Sequence, residues 1–167
     1  MPRQDVIRKA KQDKRAGKSA STQAGEFVKD EIDRIRKGKH GARSTKQAIA
    51  IGLSEARRAG VDLPPPRKGR TKKSTRRSAE YAYEVGQGKR TPKRRPKVSR
   101  AVENVLKKEP RSTASRSALS KQGKRAASRR PAASRSAAAR KASRTKGAKA
   151  RSTAAKKAAR TRARRRS

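Results

Sequence analysis

Residues 44–60 read STKQAIAIGLSEARRAG, and this stretch decides the fold. Ser44 and Gln47 form an S-x-x-Q capping box, in which the serine oxygen accepts a first-turn amide proton and the glutamine side chain reaches back. Gly60 takes the left-handed position that closes a helix, and Val61 just beyond supplies the apolar contact of a Schellman ending. Between the caps Ile49, Leu53 and Ala56 share one face, and Ile51, about a third of a turn away, widens the apolar arc. The spacing predicts one amphipathic helix, which needs a partner to cover it.

The partner lies upstream. Ala24, Phe27, Val28, Ile32 and Ile35 trace a single helical stripe that Ser21 or Thr22 would cap, and Gly38 and Gly41 break it around Lys39 and His40. A first short helix carries Val6, Ile7 and Ala10, with Pro2 suited to its first position and Gly17 to its left-handed stop. Downstream, Leu63 precedes Pro64, Pro65 and Pro66, which cannot continue a helix and read as a domain edge. Beyond the basic run Arg67 to Arg77, Ser78 is positioned to cap a short stretch bearing Tyr81, Tyr83 and Val85. A second basic linker, Lys89 to Lys97, leads to Val98, Ala101, Val102, Val105 and Leu106, a two-turn amphipathic helix that Pro110 ends.

Composition limits what can fold. Of 167 residues, 53 are Lys or Arg and 12 are Asp or Glu, a formal net charge of +41. Large apolar side chains number 20, too few for a core of this length. Residues 1–66 carry +8 and 12 of those 20, whereas residues 110–167 carry +21, no acid, and Leu119 alone. The expected architecture is all-α: a small two- to three-helix module over residues 1–63, a proline-punctuated basic linker over 64–110, and a largely disordered Ala/Ser/Arg/Lys tail over 111–167. The longest apolar run, Ala48 to Leu53, is far short of the roughly 20 residues a membrane-spanning helix needs. The first residues show neither a secretory signal nor an acid-poor transit peptide, so a cytoplasmic, nucleoid location is expected.

The tail repeats itself at an offset of 16 residues. Arg135 to Lys146 aligns with Arg151 to Arg162, with Ser136 and Ser152 as candidate N-caps. Arg140, Lys141 and Arg144 recur as Lys156, Lys157 and Arg160, positions that share one face of a helix. Like charges oppose such helices in isolation, so they are expected to form on contact with a polyanion. Duplex DNA carries about one charge per 1.7 Å, so the tail matches roughly 36 Å of duplex, about one turn. The candidate nucleic-acid contacts are Arg129, Arg130, Arg164, Arg165 and Arg166 besides those repeats. Nearer the N-terminus they are Arg43 and Lys46 at the start of the third helix, Arg76 and Arg77, and Arg94 and Arg95.

Catalytic chemistry has little to work with. Without cysteine there is no thiolate nucleophile, thiolate metal site or disulfide. His40, the single histidine, reads as a solvated turn residue. Glu26, Asp30, Glu31 and Asp33 read as the outward face of the second helix, paired with Lys29, Arg34 and Lys37. No catalytic residue, metal ligand or cofactor is expected, and Gly38-x-x-Gly41 lacks the Gly-Lys-Ser/Thr of a phosphate loop.

The segment from Lys39 through KQAIAIGLSEARRAG, Lys46 to Gly60, and on to Pro64 resembles a small basic bacterial domain family of unknown function. The tail, with Ala-Ala-Lys-Lys-Ala-Ala at Ala154 to Ala159, is similar to bacterial linker-histone-like proteins, a resemblance that implies nonspecific DNA binding and compaction. With only Tyr81 and Tyr83 able to stack on bases, double-stranded DNA is the expected partner and RNA the alternative. The chain is thus expected to be a histone-like nucleoid protein rather than an enzyme. A ribosome-associated or stress-induced polyanion-binding role is the rival reading, and the N-terminal module keeps room for an unidentified protein partner.

Overall fold

In the computed structural model, residues 3–93 and 95–164 are described, and seven α-helices and a short 3₁₀ turn account for their regular structure. The helices are α1 (Gln4–Arg15), α2 (Ala20–Arg36), α3 (Thr45–Arg58), α4 (Lys73–Gly86), α5 (Pro96–Lys108), α6 (Arg116–Ser128) and α7 (Ala132–Arg164), with the 3₁₀ turn at Ser112–Ala114. Two compact units form, Met1–Gln122 and Gly123–Ser167. Residues 111–122, which the sequence groups with the tail, lie in the first.

The first unit is built on α2 and α3, which run antiparallel. The early half of α2 and the end of α3 meet α1 in one cluster of Val6, Ala10, Ala24, Phe27, Ala56 and Val61. The late half of α2 and the start of α3 share a second cluster, Ile32, Ile35, Ala42 and Ala48, which Ala114 and Leu119 complete. Helix α3 buries Ala48, Gly52 and Ala56 rather than the larger Ile49 and Leu53, which are only half-buried. The reason is close approach: a Cβ on Gly52 would sit 2.6 Å from Val28 Cα and 3.0 Å from the Phe27 carbonyl oxygen. Small side chains let the two backbones touch, and the larger residues fill the edges.

The terminators follow the sequence closely. Gly17, Gly38 and Gly60 all have positive φ, and in each case the next residue's amide bonds back to the helix: Lys18 to Asp13, Lys39 to Arg34, Val61 to Ala56. Ser44 Oγ accepts from Gln47 N at 3.2 Å, while the Gln47 side chain takes the amide of Arg43, one residue before the expected one. Other boundaries shift. Helix α2 starts at Ala20 behind Ser19, not at Ser21 or Thr22, and α4 starts five residues before Ser78. Pro2 lies outside the described residues. The polyproline segment folds back, because Arg57, buried in α3, donates to the carbonyls of Leu63 (3.0 Å) and Pro64 (3.3 Å).

The second unit overturns the expectation of a small two- to three-helix module with a disordered tail. The residues from Arg116 to Arg164 are almost wholly helical, so the helices do not wait for a polyanion. Alanine, with the highest intrinsic propensity, favours the helix against charge repulsion, and Ser136, Thr145, Thr153 and Thr161 each donate to the carbonyl four residues back, which satisfies these hydroxyls within the helix. Ser136 is therefore an interior residue and not an N-cap. Thr145 and Thr161, equivalent in the 16-residue repeat, make equivalent bonds to Lys141 and Lys157. Gly147, at φ 64° and ψ 168°, breaks α7 between the two copies.

Candidate functional site

The expected nucleic-acid contacts that lie among the described residues occupy loops and helices of both units. Arg43 and Lys46 are exposed at the N-terminal end of α3, where the helix dipole adds positive potential. The returning segment brings Arg111 beside Gly38, adding a cation to the loop that carries Lys39 and Arg43. In α4, Arg77 is exposed while Arg76 is half-buried, with its guanidinium 4.0 Å from the Glu80 carboxylate. Arg95 is exposed just before α5; Arg94, Arg165 and Arg166 lie outside the described residues.

Arg129 and Arg130 are exposed between α6 and α7, and Arg130 donates to Ser134 Oγ at 2.9 Å. Arg140, Lys141 and Arg144 are exposed on the first arm of α7, Lys156, Lys157 and Arg160 on the second, and Arg164 ends the helix. The last acidic side chain in the sequence is Glu109, so the second unit has no Asp or Glu. The hydroxyls of Ser128, Ser136, Thr145, Thr153 and Thr161 are held by helix carbonyls. Lys and Arg are thus the groups that face outward.

Sequence reasoning placed two residues wrongly, and they meet. Glu31 is fully buried rather than on the outward face of α2, and His40 is nearly buried rather than solvated. The His40 ring has Nε2 3.5 Å from Glu31 Oε2 and Nδ1 3.0 Å from the Gly41 carbonyl. Arg34 reaches Glu31 at 3.4 Å and Glu55 at 3.3 Å, so one guanidinium ties α2 to α3. Burial pushes the Glu31 carboxyl above the usual carboxylate range, and the charges of His40 and Arg34 pull it partly back. Among the described residues its Oε1 has no hydrogen-bond partner.

The signal for Glu31 was present in the spacing, since it stands four residues after Phe27 and four before Ile35, in the middle of the apolar stripe. A groove of about 660 Å³ lies alongside, with Ile51 on one wall and Val102 and Leu106 on the other. Glu31 itself is sealed from solvent, which suits an anchor for the Gly38–Gly41 turn better than a reacting group. Among the described residues no group of three or more His, Asp or Glu side chains is placed to hold a metal ion. None of their helices is long and apolar enough to cross a membrane.

Residues 11–68 match a family of unknown function (DUF6496). That span covers the last five residues of α1, then α2, α3 and the fold-back past Leu63, including the capped helix from which the fold was read. No curated protein and no solved structure matches the chain.

Proposed function

We propose that the chain is a nonspecific DNA-binding protein of the histone-like, nucleoid-associated kind, which neutralises and compacts duplex DNA in the cytoplasm. The carrying observation is the segment after Glu109, which holds 21 Lys or Arg and no Asp or Glu, most of them on α6 and α7. Binding proceeds by counterion release as these cations meet phosphates, and the pre-formed helices hold Arg140, Lys141 and Arg144, then Lys156, Lys157 and Arg160, in clusters. The arrangement offers phosphate contacts without a base-reading element, so affinity is indifferent to sequence.

Duplex DNA is favoured over single-stranded RNA by the state of the two tyrosines. Tyr83 donates its hydroxyl to Asp62 at 2.7 Å, and Tyr81 accepts from the Lys93 amide at 3.1 Å with the Arg90 guanidinium 5.4 Å above its ring. Both are engaged in the fold, which leaves little aromatic surface for stacking on bases.

The test is a mobility-shift series on random-sequence duplex with increasing salt. Ten neutralised phosphates would give a logarithmic slope of about −9. Converting Arg140, Lys141, Arg144, Lys156, Lys157 and Arg160 to Gln should lower its magnitude by about 5 if all six touch phosphate. A salt-independent affinity, or preference for structured RNA in direct competition, would refute the reading.

A further inference from the structure

The chain has seven valines, and it leaves three of them, Val98, Val102 and Val105, 54%, 52% and 58% exposed on α5. In a protein so short of large apolar side chains, that is a substantial share to leave in water. The spacing of four and then three is that of a helix–helix seam, and none of α5 is buried. The seam is also held in place. The Gly41 amide donates to the Leu106 carbonyl at 2.8 Å and the Ala42 amide to the Pro110 carbonyl at 3.2 Å, fixing the end of α5 to the α2–α3 loop.

We propose that this seam docks an amphipathic helix of another protein whose flanks are acidic. At about 100° of rotation per residue, Lys97 and Lys108 fall along the edge of the seam away from Leu106, with Arg100 behind them. The one acid of α5, Glu103, is already paired with Lys107 at 3.0 Å. A second copy of this chain would bring these cations against one another, whereas carboxylates along the partner's edge would complement them. An anionic membrane is the poorer fit, because α5 carries no aromatic side chain to seat at the headgroup level. Docking of a helix on a fixed apolar face is an established recognition mode, and this proposal does not depend on DNA binding.

The experiment uses the full chain, freed of nucleic acid, and two synthetic peptides of identical composition and charge. One has leucines at seam spacing with glutamates elsewhere; the other is its scramble, which controls for attraction to +41. The seam predicts that the amphipathic peptide binds at least about tenfold more tightly, about 1.4 kcal/mol. That preference should vanish in Val98→Ser/Val102→Ser/Val105→Ser, whose helicity is checked by circular dichroism. It should shrink in Lys97→Glu/Lys108→Glu, which leaves the valines intact. Equal affinity for both peptides, or a preference that survives the serine variant, overturns the proposal. So does seam-dependent self-association in sedimentation, or seam-dependent binding to phosphatidylglycerol vesicles exceeding that to the peptide.

Discussion

Substituting Gly52→Ala should destabilise the protein even though alanine is the better helix former. The propensity gain is about 1 kcal/mol. Against it, the new Cβ would lie 2.6 Å from Val28 Cα, 2.9 Å from Val28 N and 3.0 Å from the Phe27 carbonyl, all backbone atoms of α2 that no rotamer change can move. Helices α2 and α3 must part by about 1 Å, and overpacking of this kind costs about 3 kcal/mol at the upper end of its usual range. The net loss is then about 2 kcal/mol, or roughly 8 °C in Tm for a unit of this size. Gly25→Ala is the internal control. It lies in the same helical pair with nothing within 4 Å of its Cβ, so the propensity term stands alone and stability rises by about 0.5–1 kcal/mol. Because α6 and α7 contribute to total helicity, the unfolding of the first unit should be followed by tyrosine fluorescence in urea, through Tyr83 and its bond to Asp62. A Gly52→Ala variant as stable as Gly25→Ala would refute the close backbone approach.

Ser44→Ala removes the oxygen that accepts the Gln47 amide and should cost about 1 kcal/mol, seen as a lower urea midpoint with unchanged slope. Glu31→Gln should match or exceed the parent in stability at pH 7. The folded-state pKa of Glu31 is raised, chiefly by burial, so the folded chain holds that proton more tightly. The associated stability is present below the unfolded value near 4.5 and is lost as pH rises through the folded pKa. The variant should flatten that part of the stability–pH curve, and a Glu31→Gln protein markedly less stable at pH 7 would show that the ion pairs with Arg34 and His40 outweigh desolvation.

What the sequence disclosed of the fold was carried by local chemistry. The glycines at 17, 38 and 60 and the serine at 44 act through bonds to their immediate neighbours, so their roles can be read without knowing the tertiary structure. The packing of α3 could not be read that way, because hydrophobicity favours Ile49 and Leu53 as the buried face. Gly52 and Ala48 win only because α2 presents a backbone to meet them. The helices of the tail are not legible from composition, because repulsion among its cations opposes the intrinsic propensity of its alanines and composition does not settle the balance. At the site, the cations are visible from composition alone, and the long helices that carry those of the second unit are not. Glu31 and His40 were assigned to solvent by residue type although spacing put Glu31 on the core face.

The return of residues 106–114 to the α2–α3 loop has a consequence in time. Arg36 Nε donates to the Ala114 carbonyl, Thr45 Oγ1 to the Thr113 carbonyl, and Thr113 Oγ1 to the Ala42 carbonyl, across 78, 68 and 71 residues of chain. At about 5–20 residues per second of synthesis, a ribosome takes roughly 4–14 s to deliver that segment after the loop has emerged. Helix formation needs only about a microsecond. The early chain therefore stands for seconds with the Ile32, Ile35, Ala42 and Ala48 cluster lacking Ala114 and Leu119, the residues that complete it. A fragment ending where the family match ends would remain in that state permanently.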